Sequence, residues 1–323
     1  MTAELRARQA LRAAGLSDAA ERGPARVLNA VNEVWRCGPY ILRVNPRAGS
    51  TRLQHEAALL AHLPAEVRAP QPVDAGAARW GEWMITRLVS GHELSRVWIG
   101  LRDVERHRAV TELAGALRAL HATPAPFGIP PSDRDGAPHP LPVSRLLRLV
   151  GDAAYLPGVD VGVMRAVADR LASVADALDD CATTLVHGDL HLENVLAAAD
   201  GALTAVLDFE WSEAGPPDLD LDILVHSLAT PELHLESGSG ERLHRRDFDD
   251  VVGWLDDAYP ELFSHPRLPE RMWIYRLAYD VNALLHEPPA RATRFGSLPP
   301  HHPYQRIVRL LEDRSDLRWY VDG

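Results

Sequence analysis

The stretch His187-Gly188-Asp189-Leu190-His191-Leu192-Glu193-Asn194, followed shortly by Val206-Leu207-Asp208-Phe209, decides how the chain is read. The first segment comes directly after the β-rich run Thr184-Leu185-Val186, and the second is itself strand-like. Between them, residues 196–201 run from apolar to turn-forming, with Asp200-Gly201 at the tip, which is the signature of a hairpin. Closing that hairpin brings Asn194 and Asp208, at its two ends, close together, and Asp189 points into the same space. Two carboxylates and an amide in this arrangement suit phosphoryl transfer. Asp189 takes the proton of an acceptor hydroxyl, while Asn194 and Asp208 hold magnesium against nucleotide phosphates. Magnesium prefers hard oxygen ligands and takes only one or two of them from protein carboxylates.

Working outward, residues 2–14 place Leu5, Leu11 and several alanines at helical spacing, with Thr2 as the N-cap. Val27-Leu28, Val34-Trp35 and Tyr40 to Val44 read as a three-stranded meander, broken at residues 29–32 and at Cys37-Gly38-Pro39. Residues 50–63 switch to helical periodicity with Leu53, Ala57, Leu60 and Ala61 on one face. Residues 73–77 and 83–88 add two strands. Beyond Ser90-Gly91-His92 the texture is mostly helical, and Val110, Leu113, Leu117 and Leu120 align on one face of residues 104–121. Residues 123–142 are too proline-rich for regular structure and read as a substrate-side flap.

Composition narrows the class. The chain has 323 residues, two cysteines (Cys37 and Cys181) and a formal net charge of −11. No apolar run is long enough for a membrane span, and residues 1–15 lack the apolar core of a signal peptide. Two cysteines argue for a reducing compartment, so a cytoplasmic protein is expected. No basic patch with interleaved aromatics is present, which argues against nucleic acid. The acidity favours a cationic ligand. All 34 basic residues are arginine, so any chemistry elsewhere done by lysine falls to arginine here.

With these motifs in view, the chain resembles the aminoglycoside phosphotransferase and choline kinase family of protein-kinase-like small-molecule kinases. The resemblance rests on residues 187–194 and 207–224. It implies an α+β, protein-kinase-like two-lobed fold: residues 1–89 as a nucleotide-binding lobe with a leading helix, and residues 90–323 as a helical lobe carrying the catalytic loop, metal loop and acceptor site. It also implies ATP or GTP as co-substrate with Mg2+, and a small-molecule acceptor. By resemblance, His187 shapes the catalytic loop, Gly188 gives it a tight backbone, and Asp220 holds it by hydrogen bonds. Arg43 stands in the slot of the strand-three lysine, Glu56 is its helical partner, and residues 84–91, with Thr86 and Leu88, resemble the hinge that meets the purine. Asp280 and Asn282 are the acceptor-side candidates. The sequence departs from the family in three places: arginine at Arg43, residues 28–32 where a glycine-rich loop is expected, and Glu210 after Asp208-Phe209.

The functional expectation is resistance by phosphorylation of an aminoglycoside or other hydroxylated antibiotic, with a metabolic kinase for an amino alcohol or sugar as runner-up. Two readings of another kind stand beside it. Loss of turnover would make the chain a nucleotide-binding pseudoenzyme. His187, Asp189, His191 and Glu193 also alternate like ligands of a metal-dependent hydrolase. His187 and His191 are read as structural, Asp218 and Asp222 as exposed or capping acids, and the acids at 247, 249, 250, 256 and 257 as a solvated face.

Overall fold

Alternation along one strand explains how the β-rich part is built. Five strands, β1 (Ala25–Val27), β2 (Glu33–Cys37), β3 (Tyr40–Asn45), β4 (Pro72–Ala78) and β5 (Gly81–Arg87), form an antiparallel sheet in the order β1-β2-β3-β5-β4. Successive side chains of a strand face opposite sides. Leu42 and Val44 of β3 therefore join Trp35, Cys37, Trp83 and Ile85 in one apolar cluster. That cluster is covered by Ala7, Ala10 and Leu11 of helix α1 (Ala3–Ala13) and by Ala19 and Ala20 of α2 (Ser17–Arg22). Arg43, between Leu42 and Val44, must face the other side. Thr2 caps α1 by accepting the Leu5 amide, as its position implies, whereas Leu5 itself is exposed.

Helix α3 (Arg52–Leu60) buries Leu53, Glu56, Leu59 and Leu60. This differs from the apolar face read in the sequence, because Ala61 is exposed and Ala57 only half-buried. The helix is turned so that a carboxylate, Glu56, faces inward, a choice that apolar periodicity does not register.

The structure, a computed structural model, describes residues 1–27, 32–124, 139–179, 183–235, 242–292, 297–315 and 317. Most of the flap at 123–142, the 28–31 part of the phosphate-loop slot and Cys181 lie outside the described residues. Contacts divide the chain into two compact units, Met1–Leu120 with Glu193–Glu210, and His121–Leu192 with Trp211–Gly323.

The first unit also holds a small three-stranded sheet, in which Val195–Ala197 pairs with both His92–Glu93 and Leu203–Val206. This is the expected hairpin, and Gly201 at its tip has a positive φ of 78°. The long helix Asp103–His121 buries Val110, Leu113, Leu117 and Leu120, matching its apolar stripe. In the second unit, Thr184–Val186 pairs with Glu213–Gly215 around helices that include Val143–Ala153, Val161–Val174, Leu219–Ala229, Leu268–His286 and Pro303–Leu311. Among the described residues, no helix is long and apolar enough to cross a membrane.

Candidate active site

In the first unit, β3 and α3 bring Arg43 and Glu56 together. Arg43 Nη1 donates to both Glu56 oxygens at 2.8 Å, and Nη2 donates to Asp208 Oδ1 at 2.8 Å. Glu210 Oε2 lies 3.6 Å from the same guanidinium and accepts from Asn32 Nδ2 at 3.5 Å. Glu56 also accepts the Phe209 amide at 3.2 Å. One guanidinium thus faces three carboxylates. Burial works against the charge of Arg43, yet Glu56, Asp208 and Glu210 hold it firmly protonated. The carboxylates show the opposite strain. Burial, then the crowding of Asp208 and Glu210 against the pull of Arg43, pushes Glu56 up to about 8. Burial and Asp208 raise Glu210 in the same direction.

Asp208 reaches this cluster through its backbone. It sits at φ 63°, in the left-handed region that non-glycine residues seldom occupy. The hairpin ends are joined where the Leu207 amide donates to the Asn194 carbonyl at 2.7 Å, and Asn194 is buried. A ligand oxygen from each of Glu56, Asp208 and Glu210 lies within 4.8 Å of the others. These are hard oxygen donors of the kind magnesium takes, with Arg43 bound to Glu56 and Asp208, and Asp208 is the one that the hairpin shares with Asn194. His187, Asp189, His191 and Glu193 form no such cluster among the described residues.

Thr86 is buried within β5, opposite Ile41, and the strand ends at Arg87, one residue short of the 83–88 strand read in the sequence. The chain leaves the ladder after Arg87, and Leu88 donates its amide to Pro39 at 2.9 Å.

In the second unit, Asp220 opens the helix Leu219–Ala229 and is 2% exposed. Its carboxylate accepts the backbone amides of His187 and Gly188, both at 2.9 Å, and His121 Nε2 at 3.0 Å. Burial works against that charge, but His121 and the His187 groups hold Asp220 below the usual carboxylate range. His187 Nδ1 in turn accepts the Asp189 amide at 3.2 Å, so the loop is fastened from inside. Gly188 has φ 78°, and a Cβ there would stand 2.3 Å from the Trp211 carbonyl oxygen, so no other residue fits without moving backbone. Asp189 is half-buried, with His191 Nε2 3.8 Å from its carboxylate.

Asp218 and Asp222, expected as exposed or capping acids, are both buried, and Asp218 stands at the N-cap position without a side-chain capping bond. Asp218 is bound by Arg271 at 2.5 and 2.6 Å and by the Tyr275 hydroxyl. Asp222 is bound by Arg276 and by His139, each at 3.0 Å. Asp280 is fully buried and accepts from Arg306 at 2.6 Å, whereas Asn282 is half-buried and its backbone carbonyl oxygen lies 2.8 Å from His286 Nδ1. Asp249, Asp250, Asp256 and Asp257 are exposed, as read. The residues missed in the sequence are His121, the arginines at 271, 276 and 306, and the participation of Glu210. Nothing local to any of them marks a partner so far away along the chain.

A sheet that aims an arginine at a helical glutamate and a hairpin aspartate, together with an aspartate-clamped H-G-D loop, defines a protein-kinase-like phosphotransferase. The particular family follows from comparison: the model of the phosphotransferase enzyme family matches residues 25–245, and the chain belongs to that family. It is a small-molecule phosphotransferase acting on a hydroxyl group. No curated protein sequence matches it. Among solved structures, it is similar to the GDP complex of aminoglycoside 2'-phosphotransferase-IIIa, at 17% identity and TM-score 0.65 over 100% of both chains. It is similar also to a choline/ethanolamine kinase family protein from Mesorhizobium loti, at 20% identity and TM-score 0.58, covering 93% of this chain and 92% of that one. A third is the aminoglycoside phosphotransferase APH(3'')-Id from Streptomyces rimosus with ADP and streptomycin, at 18% identity and TM-score 0.54, covering 87% and 99%. At these identities the likeness is one of fold.

Proposed function

We propose that the protein transfers the γ-phosphoryl group of ATP or GTP to a hydroxyl of a hydroxylated antibiotic, with Asp189 as the base. The observation that carries the reading is the double engagement of Arg43 by Glu56 and Asp208. Glu56 fixes the guanidinium on its strand, so the remaining donors are in place for nucleotide phosphate oxygens. Asn194 and Asp208 would hold the magnesium ion, which when bound supplies positive charge to the nucleotide phosphates.

Asp189 accepts the proton of the acceptor hydroxyl as that oxygen bonds to the γ-phosphorus. The bond from the γ-phosphorus to the bridging oxygen breaks, and the nucleoside diphosphate leaves. Asp220, through the His187 and Gly188 amides, keeps the loop in shape for that step. Glu210 in place of glycine argues against a flipping metal loop, so the enzyme is read as constitutively active.

The named relatives support a nucleotide co-substrate and a small hydroxylated acceptor, since their structures hold GDP in one case and ADP with streptomycin in another. The likeness to a choline/ethanolamine kinase family protein keeps a metabolic acceptor as the second reading. The test is a panel of hydroxylated antibiotics and metabolites with each nucleotide, following diphosphate release and product mass. An absence of Asp189-dependent turnover across the panel would leave a nucleotide-binding pseudoenzyme.

A further inference from the structure

The first unit holds a further buried carboxylate, Glu82 of β5, which is fully enclosed. Glu82 stands opposite Asn45 of β3, and Met84 stands opposite Arg43. Alternation therefore puts Glu82 on the Arg43 face of the sheet, while Trp83 and Ile85 join the apolar cluster on the other. Among the described residues, the hydrogen-bond partners of Glu82 are all neutral donors. Its Oε1 accepts from the Ser50 hydroxyl and from Asn45 Nδ2, the latter at 3.3 Å, and its Oε2 accepts the Gln54 backbone amide at 3.3 Å. Asn45 Nδ2 also donates to Ser50 Oγ at 2.9 Å, and Asn45 Oδ1 accepts the Arg47 amide at 3.1 Å. Gly81, just before Glu82, has φ 140°, and a Cβ there would overlap the Asn45 carbonyl oxygen, so the chain enters β5 pressed against the end of β3.

These partners lie at the two ends of one connection. Asn45 ends β3, the strand of Arg43, whereas Ser50 and Gln54 lie at the start of α3, the helix of Glu56. The first amides of a helix have no partners within it. Thr51 at the N-cap makes no side-chain bond to them, and the first turn of α3 carries no acid of its own. Glu82 supplies the missing acceptor from a neighbouring strand, the place a capping side chain ordinarily fills. The same oxygen pair holds the end of β3. The Arg43–Glu56 contact at 2.8 Å is made between that strand and that helix.

We propose that Glu82 is a positioning residue for the Arg43–Glu56 pair: by binding the end of β3 and the start of α3 to one carboxylate, it sets the reach of Glu56 to the guanidinium, and so the placing of that guanidinium against nucleotide phosphates. The proposal rests on Arg43 being the phosphate contact, as read above. Glu82 acts through α3 and not on the nucleotide itself.

The experiment uses the purified full chain and measures, by calorimetry, binding of the magnesium complex of a non-hydrolysable ATP or GTP analogue and of the matching nucleoside. The preference for nucleotide over nucleoside isolates the affinity owed to phosphates and magnesium, and a general loosening of the fold leaves it alone. Glu82→Ala should lower that preference by about tenfold or more, since a small displacement of a positioned group is felt strongly where it acts. Glu82→Gln keeps one acceptor oxygen and should recover part of the loss. In a Glu56→Ala background, Glu82→Ala should lower the preference no further, because groups acting through one contact are not additive. Should Glu82→Ala fail to fold, Asn45→Ala combined with Ser50→Ala opens the same clamp from half-buried positions and should act in the same direction. A folded variant of either kind with the wild-type preference, or an equal loss with and without Glu56, overturns the proposal and leaves the kinase reading intact. A preference that Arg43→Ala does not lower overturns the reading of Arg43 and the proposal with it.

Discussion

Two charged networks of this protein are built on opposite accounts of charge. In the first unit Arg43 faces Glu56, Asp208 and Glu210, and the charge of Arg52 also acts on Glu210. In the second, Asp218, Asp222 and Asp280 each have an arginine of their own, in Arg271, Arg276 and Arg306. Burying and crowding carboxylates is costly, and in the first network burial and mutual repulsion show as raised Glu56 and Glu210. In the second, Asp222 is held below the usual range although burial opposes it, because Arg276 and His139 stabilise the charge, whereas burial raises Asp280 despite its pairing with Arg306. The difference separates a carboxylate-rich cluster, whose Asp208 is the proposed magnesium ligand, from one-to-one charge pairs that serve as framework.

The largest effect expected belongs to neither network but to Asp189, the base of the proposed transfer. Asp189→Asn should lower kcat by roughly 10²–10⁴-fold while leaving nucleotide affinity nearly unchanged, since it removes the proton acceptor alone. Retention of more than about a tenth of wild-type kcat would sink the assignment. Breaking the balanced network should act on stability instead. Arg271→Met strands Asp218 in the interior and should destabilise the protein by about 3–5 kcal/mol in denaturant titrations. Replacing Asp218 and Arg271 together by apolar residues should recover most of that loss, because the uncompensated charge is gone.

Arg43→Ala tests the deficient network and should cost about 10²–10³-fold in kcat/KM, the scale of a lost charge clamp. Arg43→Lys should restore part of it, since the charge survives without the planar fork. Adding Glu56→Ala to Arg43→Ala should cost little more, as partners in one network are not additive. A twofold or smaller effect of Arg43→Ala would place the phosphate contact elsewhere.

The smallest effect is a difference in pH response. Glu56 is raised from 4.5 to about 8, so between those values the folded chain holds more proton than the unfolded one. Its contribution to stability is complete below the lower value and is lost as pH rises to about 8. Asp220 and Asp222 are lowered, so their contribution stands above the ordinary carboxylate range and is lost as pH falls through their depressed values. Denaturation curves should therefore flatten on the alkaline side in Glu56→Gln and on the acid side in Asp220→Asn. The same slope in both variants and wild type would contradict the contrast.

Much of this was legible in the sequence, for physical reasons. Period-two alternation and turn residues located the sheet strands, and Asp200-Gly201 located the hairpin. The H-G-D loop and Asp208 stood out because chemistry concentrated in a few adjacent residues leaves a local pattern. The inward face of α3 was misjudged because Glu56 is a buried charge on a stripe expected to be apolar. Asp218 and Asp222 were read as exposed or capping acids because their arginines lie more than fifty residues away, and spacing says nothing over that distance. Glu210 registered only as a missing glycine, although its carboxylate joins the Arg43 cluster.

The most direct test of the contrast between the networks is calorimetric titration of nucleotide with and without magnesium into wild type, Asp208→Ala and Asp280→Asn. Magnesium should strengthen nucleotide binding by the wild type and by Asp280→Asn, and Asp208→Ala should lose most of that gain. Magnesium-dependent binding that survives Asp208→Ala, or that disappears in Asp280→Asn instead, would contradict the assignment of Asp208 as a magnesium ligand.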